Sequence, residues 1–162
     1  MKIIAVIPTY RASQSIAEVV RGALDVCDHV VVVDDFCPEE SGKVVENTHS
    51  NLTTLFRTRN GGVGAATKTG VRYAVSLDAD VIVKIDADGQ MNPSLIPALA
   101  NPIRDGVADF SKGTRFDSPE DLETMPKTRL VGNSALSLIN KFSSGYWSIN
   151  DPTNGFIAFS RA

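Results

Sequence analysis

The chain has 162 residues, 43% hydrophobic and 22% charged, with a net charge of -3 at pH 7 and a pI near 5.3. This is the size and composition of one globular domain that closes its core without staples. The acidity excludes a general nucleic-acid binder, but not local phosphate binding by backbone N–H groups, a cation and one or two arginines.

The first element is the apolar run Ile3 to Ile7, a strand that starts at once and leaves no room for a signal-peptide layout. Ser13 or Ser15 then caps a helix that carries Ile16, Val19, Val20, Ala23 and Leu24 at helical spacing. Val30 to Val33 is the second strand. Pro38, followed by Glu39 and Glu40, predicts the first turn of another helix. Leu52 to Phe56 is a weaker third strand, and Gly64 to Leu77 a helix with Ala65, Thr69, Tyr73 and Ser76 near one face. Val81 to Ile85 is the fourth strand, and Pro93 opens a short helix. Ala108 to Ser111 is a poor fifth strand.

The first, second and fourth strands are near-continuous apolar runs, which means burial on both faces. The β-α-β-α order predicts an α/β fold with a mostly parallel central sheet, helices on both faces and right-handed crossovers. Past Gly113 the pattern changes. Residues 117–127 are polar and hold Pro119 and Pro126, as in a surface loop or lid, and Arg129 to Phe142 returns to helical spacing. The chain ends three residues after a last apolar strand closing at Phe159. We therefore expect residues 1–162 to be one domain cut at its C-terminal side. Cys27 and Cys37 read as reduced thiols of a cytoplasmic protein, because they fit neither a disulfide framework nor a zinc pattern. No stretch reaches the roughly 18 apolar residues that span a bilayer.

In open α/β sheets ligands bind beyond the carboxyl ends of the strands, and polar clusters stand at four of those ends. Asp86-Ala87-Asp88 follows the fourth strand, and two carboxylates one residue apart can turn toward one Mg²⁺ or Mn²⁺ bridging a diphosphate. A plain Asp-Gly turn at Asp88-Gly89 is the competing reading. Asp34-Asp35 follows the second strand; one carboxylate suits a base N–H or a ribose hydroxyl, and the other suits capping of the next segment. Asn60-Gly61-Gly62-Val63-Gly64 opens a helix, so Gly64 and its neighbours admit a phosphate and Lys68 lies one turn further on. Tyr10, after Pro8-Thr9, can lay its ring against a base. Arg115 ends the fifth strand and Arg129 opens the next helix; both suit a phosphate. Asp151 precedes the last strand, in a turn or as a base near an acceptor.

Together, Val6-Ile7-Pro8-Thr9-Tyr10, Val32-Val33-Asp34-Asp35, Asn60-Gly61-Gly62-Val63-Gly64-Ala65-Ala66 and Asp86-Ala87-Asp88-Gly89-Gln90 resemble the family-2 glycosyltransferases of the GT-A fold. Gly113-Thr114-Arg115 and Asp151-Pro152-Thr153-Asn154-Gly155-Phe156 are similar to the branch that resembles dolichol-phosphate mannosyltransferase. The resemblance runs over essentially the whole chain. It implies an inverting hexosyltransferase that takes a GDP- or UDP-sugar, with a divalent cation, to a polyprenyl phosphate or glycan acceptor in cell-wall or polysaccharide synthesis. By it, Pro8, Tyr10 and Asp35 would cradle base and ribose, Asp86 and Asp88 would hold the diphosphate through the cation, and Gln90 would border that pocket. Arg115 and Arg129 would grip an acceptor phosphate, and Asp151 would take the proton from a hydroxyl acceptor. It also implies a longer parent enzyme, cytoplasmic or held at the inner face of the membrane. The chain departs from the family at Arg11-Ala12 and Phe36-Cys37-Pro38, both beside the base pocket.

Two alternatives stand beside this reading. A nucleotidyltransferase would carry its glycine-rich, basic loop directly after the first strand, where this chain has Pro8-Thr9-Tyr10-Arg11. A nucleotide-binding module without catalysis would use the same sheet.

Overall fold

The computed structural model describes residues 1–114 and 154–161. The chain divides into two units, Met1–Ser111 with Phe156–Ala162, and Lys112–Gly155. In the second, the Asn154 side-chain amide donates to the Gly113 carbonyl at 2.9 Å.

In chain order the elements are β1 (Ile3–Thr9), α1 (Ile16–Leu24), β2 (His29–Asp34), β3 (Leu52–Phe56), α2 (Gly62–Ser76), β4 (Val81–Lys84), α3 (Ile96–Arg104), β5 (Phe110–Lys112) and β6 (Ile157–Ser160). They form one sheet in the order β3-β2-β1-β4-β6-β5. β1 pairs in parallel with β2 and β4, and β2 with β3; β6 runs antiparallel to β4. The predicted mostly parallel α/β sheet is therefore present.

The two faces bury different halves of the same strands. Ala5, Ile7, Val30, Val32, Val83 and Ile85 pack with α1 and α3, through residues such as Ile16, Val20, Ile96 and Ala100. Ile4, Val6, Val31, Val33 and Ile82 face α2. This alternation of faces, with both apolar, is why β1, β2 and β4 read as unbroken hydrophobic runs.

Two local expectations change. The buried stripe of α2 is Ala66, Gly70 and Ala74, one position beyond the predicted face of Ala65, Thr69 and Tyr73. The reason is close approach: a Cβ at Gly70 would lie 2.4 Å from Val6 Cγ1 and 3.0 Å from Val33 Cγ2, so only the small stripe docks. No helix starts at Pro38. A short 3₁₀ turn forms instead at Ser41–Val44, after a bend with positive φ at Phe36 and Glu40.

Candidate functional site

The site begins with a proline. Ile85 N–H donates to Val6 O at 3.1 Å, so the main-chain polar groups of Val6, and of Pro8 two residues on, face β4. Pro8 has no N–H to offer, and pairing of β1 with β4 stops at Val6–Lys84. This is also where the strand order reverses, with β2 on one side of β1 and β4 on the other. Such switch points carry the ligand crevice of open α/β sheets. A cleft of about 880 Å³ lies there, lined among others by Pro8, Thr9, Tyr10, Asp35, Asp86 and Asp88. That volume suits a nucleotide-sized ligand.

Asp35 enters the cleft as an anchored carboxylate. Arg57 Nη1 donates to its Oδ1 at 2.5 Å, and Gly61 N–H is 3.1 Å from both oxygens. Gly61 must be glycine for this clamp, because a Cβ there would lie 2.7 Å from Arg57 Nη1. The three residues come from the ends of β2 and β3 and the turn into α2. They fix one acid while leaving acceptor capacity on Oδ2.

Asp34 corrects an expectation. A candidate beside Asp35 for the nucleotide, it is instead buried, and both its oxygens are committed to the chain: Oδ1 accepts from Cys37 N–H at 2.7 Å and Oδ2 from Gly42 N–H at 2.8 Å. Successive residues leaving a strand point to opposite sides, so one acid closes the loop and the other meets the cleft. Asp34 does the capping that was foreseen for one of the pair, on a 3₁₀ turn rather than a Pro38 helix.

The Asp86-Ala87-Asp88 loop is held from three sides. Lys84 Nζ pairs with Asp86 Oδ1. Ser15 Oγ donates to Ala87 O at 2.6 Å, so the residue expected to cap α1 makes no side-chain cap bond and ties the loop down instead. Asp88 Oδ1 accepts from Gln90 N–H at 3.0 Å, and Gly89 takes φ +76° to close the turn. Both carboxylates line the cleft.

Two further features mark the rim. The Arg11 guanidinium sits 5.5 Å from the centroid of the Tyr10 ring, and that ring is half exposed. Behind it, Cys37 Sγ accepts from Arg11 N–H at 3.0 Å and contacts Ser41 Oγ at 3.2 Å. Burial pushes this thiol's pKa up, but hydrogen bonds from Ser41, Arg11 and Glu39 outweigh it and leave it below the ordinary value. Inside, Thr9 is 2% exposed, and its hydroxyl has no hydrogen-bond partner among the described residues. Thr9 lines the cleft, and a buried orphan hydroxyl in such a residue is a feature that calls for a partner.

Of the predicted site residues, Pro8, Tyr10, Asp35, Asp86 and Asp88 meet in the cleft; Gly64, Lys68 and Gln90 are exposed and stand outside its lining. A Cβ at Gly64 would meet nothing within 4 Å, so packing does not demand glycine there. Arg115, Arg129 and Asp151 lie outside the described residues. Sequence reasoning missed Arg57 and Lys84. Arg57 gave no signal, whereas a lysine inside Val-Ile-Val-Lys was a visible exception in a buried strand.

The donor set has hard oxygen ligands of the kind Mg²⁺ and Mn²⁺ take. No group of three or more His, Cys, Asp or Glu that could hold a metal ion exists among the described residues. Two carboxylates fit the mode in which a small cation keeps waters and completes its shell with substrate phosphates.

Residues 4–162 match the family model described as Glycosyl transferase family 2. The UDP-N-acetylglucosamine--dolichyl-phosphate N-acetylglucosaminyltransferase of Methanococcus voltae is 31% identical, over 97% of this chain and 68% of that protein. The polyprenol monophosphomannose synthase of Mycolicibacterium smegmatis is 27% identical, over 98% of this chain and 61% of that protein. This chain thus spans about two thirds or less of the length of such relatives. Among solved structures, residues 1–349 of S. aureus TarS in complex with UDP-GlcNAc superpose with a TM-score of 0.56 at 25% identity, over 68% of this chain and 33% of that one.

Proposed function

The chain belongs to glycosyl transferase family 2, and from that membership we propose that it is the donor-binding part of an inverting, metal-dependent hexosyltransferase that moves a sugar from a nucleoside-diphosphate sugar to a polyprenyl phosphate. The observation that carries the reading is the meeting of Asp35, Asp86, Asp88 and Thr9, whose hydroxyl is buried without a partner among the described residues, along one cleft at the β1–β4 switch point.

In this reading the free lone pairs of Asp35 accept from a base N–H or ribose hydroxyl, and the Tyr10 ring lies against the base. Thr9 gains a partner from the nucleotide. Asp86 and Asp88 would hold the cation, and Gln90 borders them. When bound, that cation offsets charge on the leaving nucleoside diphosphate. Gly64 and Lys68 stand on α2, whose Gly62, Val63 and Ala66 line the cleft, and are assigned to the sugar-phosphate side. Arg115 and Arg129 grip the acceptor phosphate. A phosphate acceptor is already an anion and needs no strong base to become a nucleophile; with a hydroxyl acceptor, Asp151 takes the proton.

The names of the relatives favour a polyprenyl-phosphate acceptor over a glycan, and hence action at a membrane face, with the cytoplasmic inner face as the proposed side. No helix among the described residues is long and apolar enough to cross a membrane. The nucleotidyltransferase alternative has no counterpart in the family match.

Calorimetric titration of UDP, GDP, CDP and dTDP, with and without Mn²⁺, tests the proposal. One diphosphate should bind at micromolar to sub-millimolar concentration and weaken sharply in chelator, and Asp88→Asn should lose the metal-dependent part while keeping the fold. Binding that ignores the metal in both proteins would contradict it.

A further inference from the structure

Lys84 stands in the centre of the sheet as the last residue of β4, opposite Val6 of β1 and Ile157 of β6. Val6 belongs to the core on the α2 face, so the lysine stem runs on that face beneath the cleft floor. The residue is 7% exposed, and its ammonium pairs with Asp86 Oδ1. An ammonium so far from water is tolerated only when it is paired. A sheet needs no lysine at this position, since Ile82 occupies the preceding site on the same face. The pair therefore places one fixed positive charge against one of the two carboxylates that line the cleft.

We propose that Lys84 is a positioning residue whose ammonium takes the cation's place at Asp86 in the nucleotide-free protein, so that a divalent cation is captured only together with a nucleoside diphosphate. The inference rests on the donor-site reading above. Asp86 and Asp88 carry two negative charges, and Lys84 cancels one of them. The remaining single charge, with one Asp88 oxygen already accepting from Gln90 N–H, is a weak trap for a strongly hydrated dication. A diphosphate brings further negative charge and oxygen ligands, so cation and nucleotide each raise the other's affinity. The lysine also holds Asp86 aimed at the cleft while no cation is bound.

Manganese binding, followed by the electron paramagnetic resonance signal of free Mn²⁺, tests this without any turnover. The parent protein should bind Mn²⁺ weakly alone and much more tightly with the diphosphate that calorimetry selects. Lys84→Met should raise nucleotide-free Mn²⁺ affinity by about tenfold or more and shrink the coupling by the same factor, because a repelling charge is gone. Lys84→Arg, which keeps the charge, should behave like the parent. Tight Mn²⁺ binding by the nucleotide-free parent overturns the proposal, and this holds even if Lys84→Met does not fold. So does a folded Lys84→Met with unchanged nucleotide-free affinity. If none of the four diphosphates binds with Mn²⁺, it is the donor-site reading that fails; metal-dependent binding with an unresponsive Lys84→Met removes the role of Lys84 alone.

Discussion

Arg57 and Asp35 form an ion pair that bridges the ends of β3 and β2, with Nη1 at 2.5 Å from Oδ1 and the Asp35 side chain only 4% exposed. Gly61 sits over the pair and donates its N–H to the same carboxylate. The acid that meets the cleft is thus set by a residue that is not itself part of the cleft lining.

That relationship predicts the outcome of two substitutions. Gly61→Ala puts a methyl group within 2.7 Å of the guanidinium, and the flexible arginine yields by leaving Asp35. Arg57→Ala removes the partner outright. Each should weaken nucleoside-diphosphate binding by about tenfold. Arg57→Ala should also cost on the order of 1–3 kcal/mol of stability, less than for a fully buried pair because the Arg57 side chain is 19% exposed. Urea denaturation and calorimetry measure the two effects separately. Undiminished affinity in Arg57→Ala would show that Asp35 does not need its clamp.

Thr9→Val separates stability from binding at one position. The Thr9 hydroxyl is buried without a partner, and such a group costs about 1–3 kcal/mol. Its near-isosteric replacement should leave stability unchanged or raise it by about 1 kcal/mol, while diphosphate affinity falls. A thermal melt with calorimetry checks the pair of results, and a valine variant that binds as tightly as the parent would remove Thr9 from the site.

Cys27 makes alkaline stability a local readout of the core. Burial, with Asp28 adding to it, pushes its thiol from 9.0 up to about 12. Its neutral form is favoured in the fold, so its contribution is fully present below pH 9. The contribution is lost as pH rises from there toward 12, where the unfolded chain has already released the proton. The slope approaches about 1.4 kcal/mol per pH unit. Cys37, with a lowered pKa, carries the opposite sign. The difference between parent and Cys27→Ala, measured by denaturant melts from pH 8 to 11, cancels Cys37 and should narrow as pH rises. A constant difference would mean that Cys27 titrates normally.

The sheet was legible because β1, β2 and β4 are buried on both faces, which leaves runs such as Val30 to Val33 with no other good explanation. The cleft acids were legible because they stand directly at strand exits. What sequence could not assign was the division between Asp34 and Asp35, which depends on where Cys37 and Gly42 bring their N–H groups. The α2 face was read one position off, through Ala65, Thr69 and Tyr73, because the close approach at Gly70 that selects the small stripe depends on Val6 and Val33 of other strands. Arg57 stayed hidden because its importance lies in a partner from a neighbouring strand exit, and no local pattern announces such a partner; Lys84, whose partner Asp86 is only two residues on, was visible as a charged exception in an apolar run and went unread.

The most direct test of the central claim is anomalous diffraction from crystals holding Mn²⁺ and the diphosphate that binds. One manganese peak is expected in the cleft between the ends of β1 and β4, at coordination distance, about 2.0–2.3 Å, from an Asp88 oxygen and from diphosphate oxygens. A diphosphate bound there with no manganese beside Asp88, or a manganese peak remote from the cleft, would contradict it.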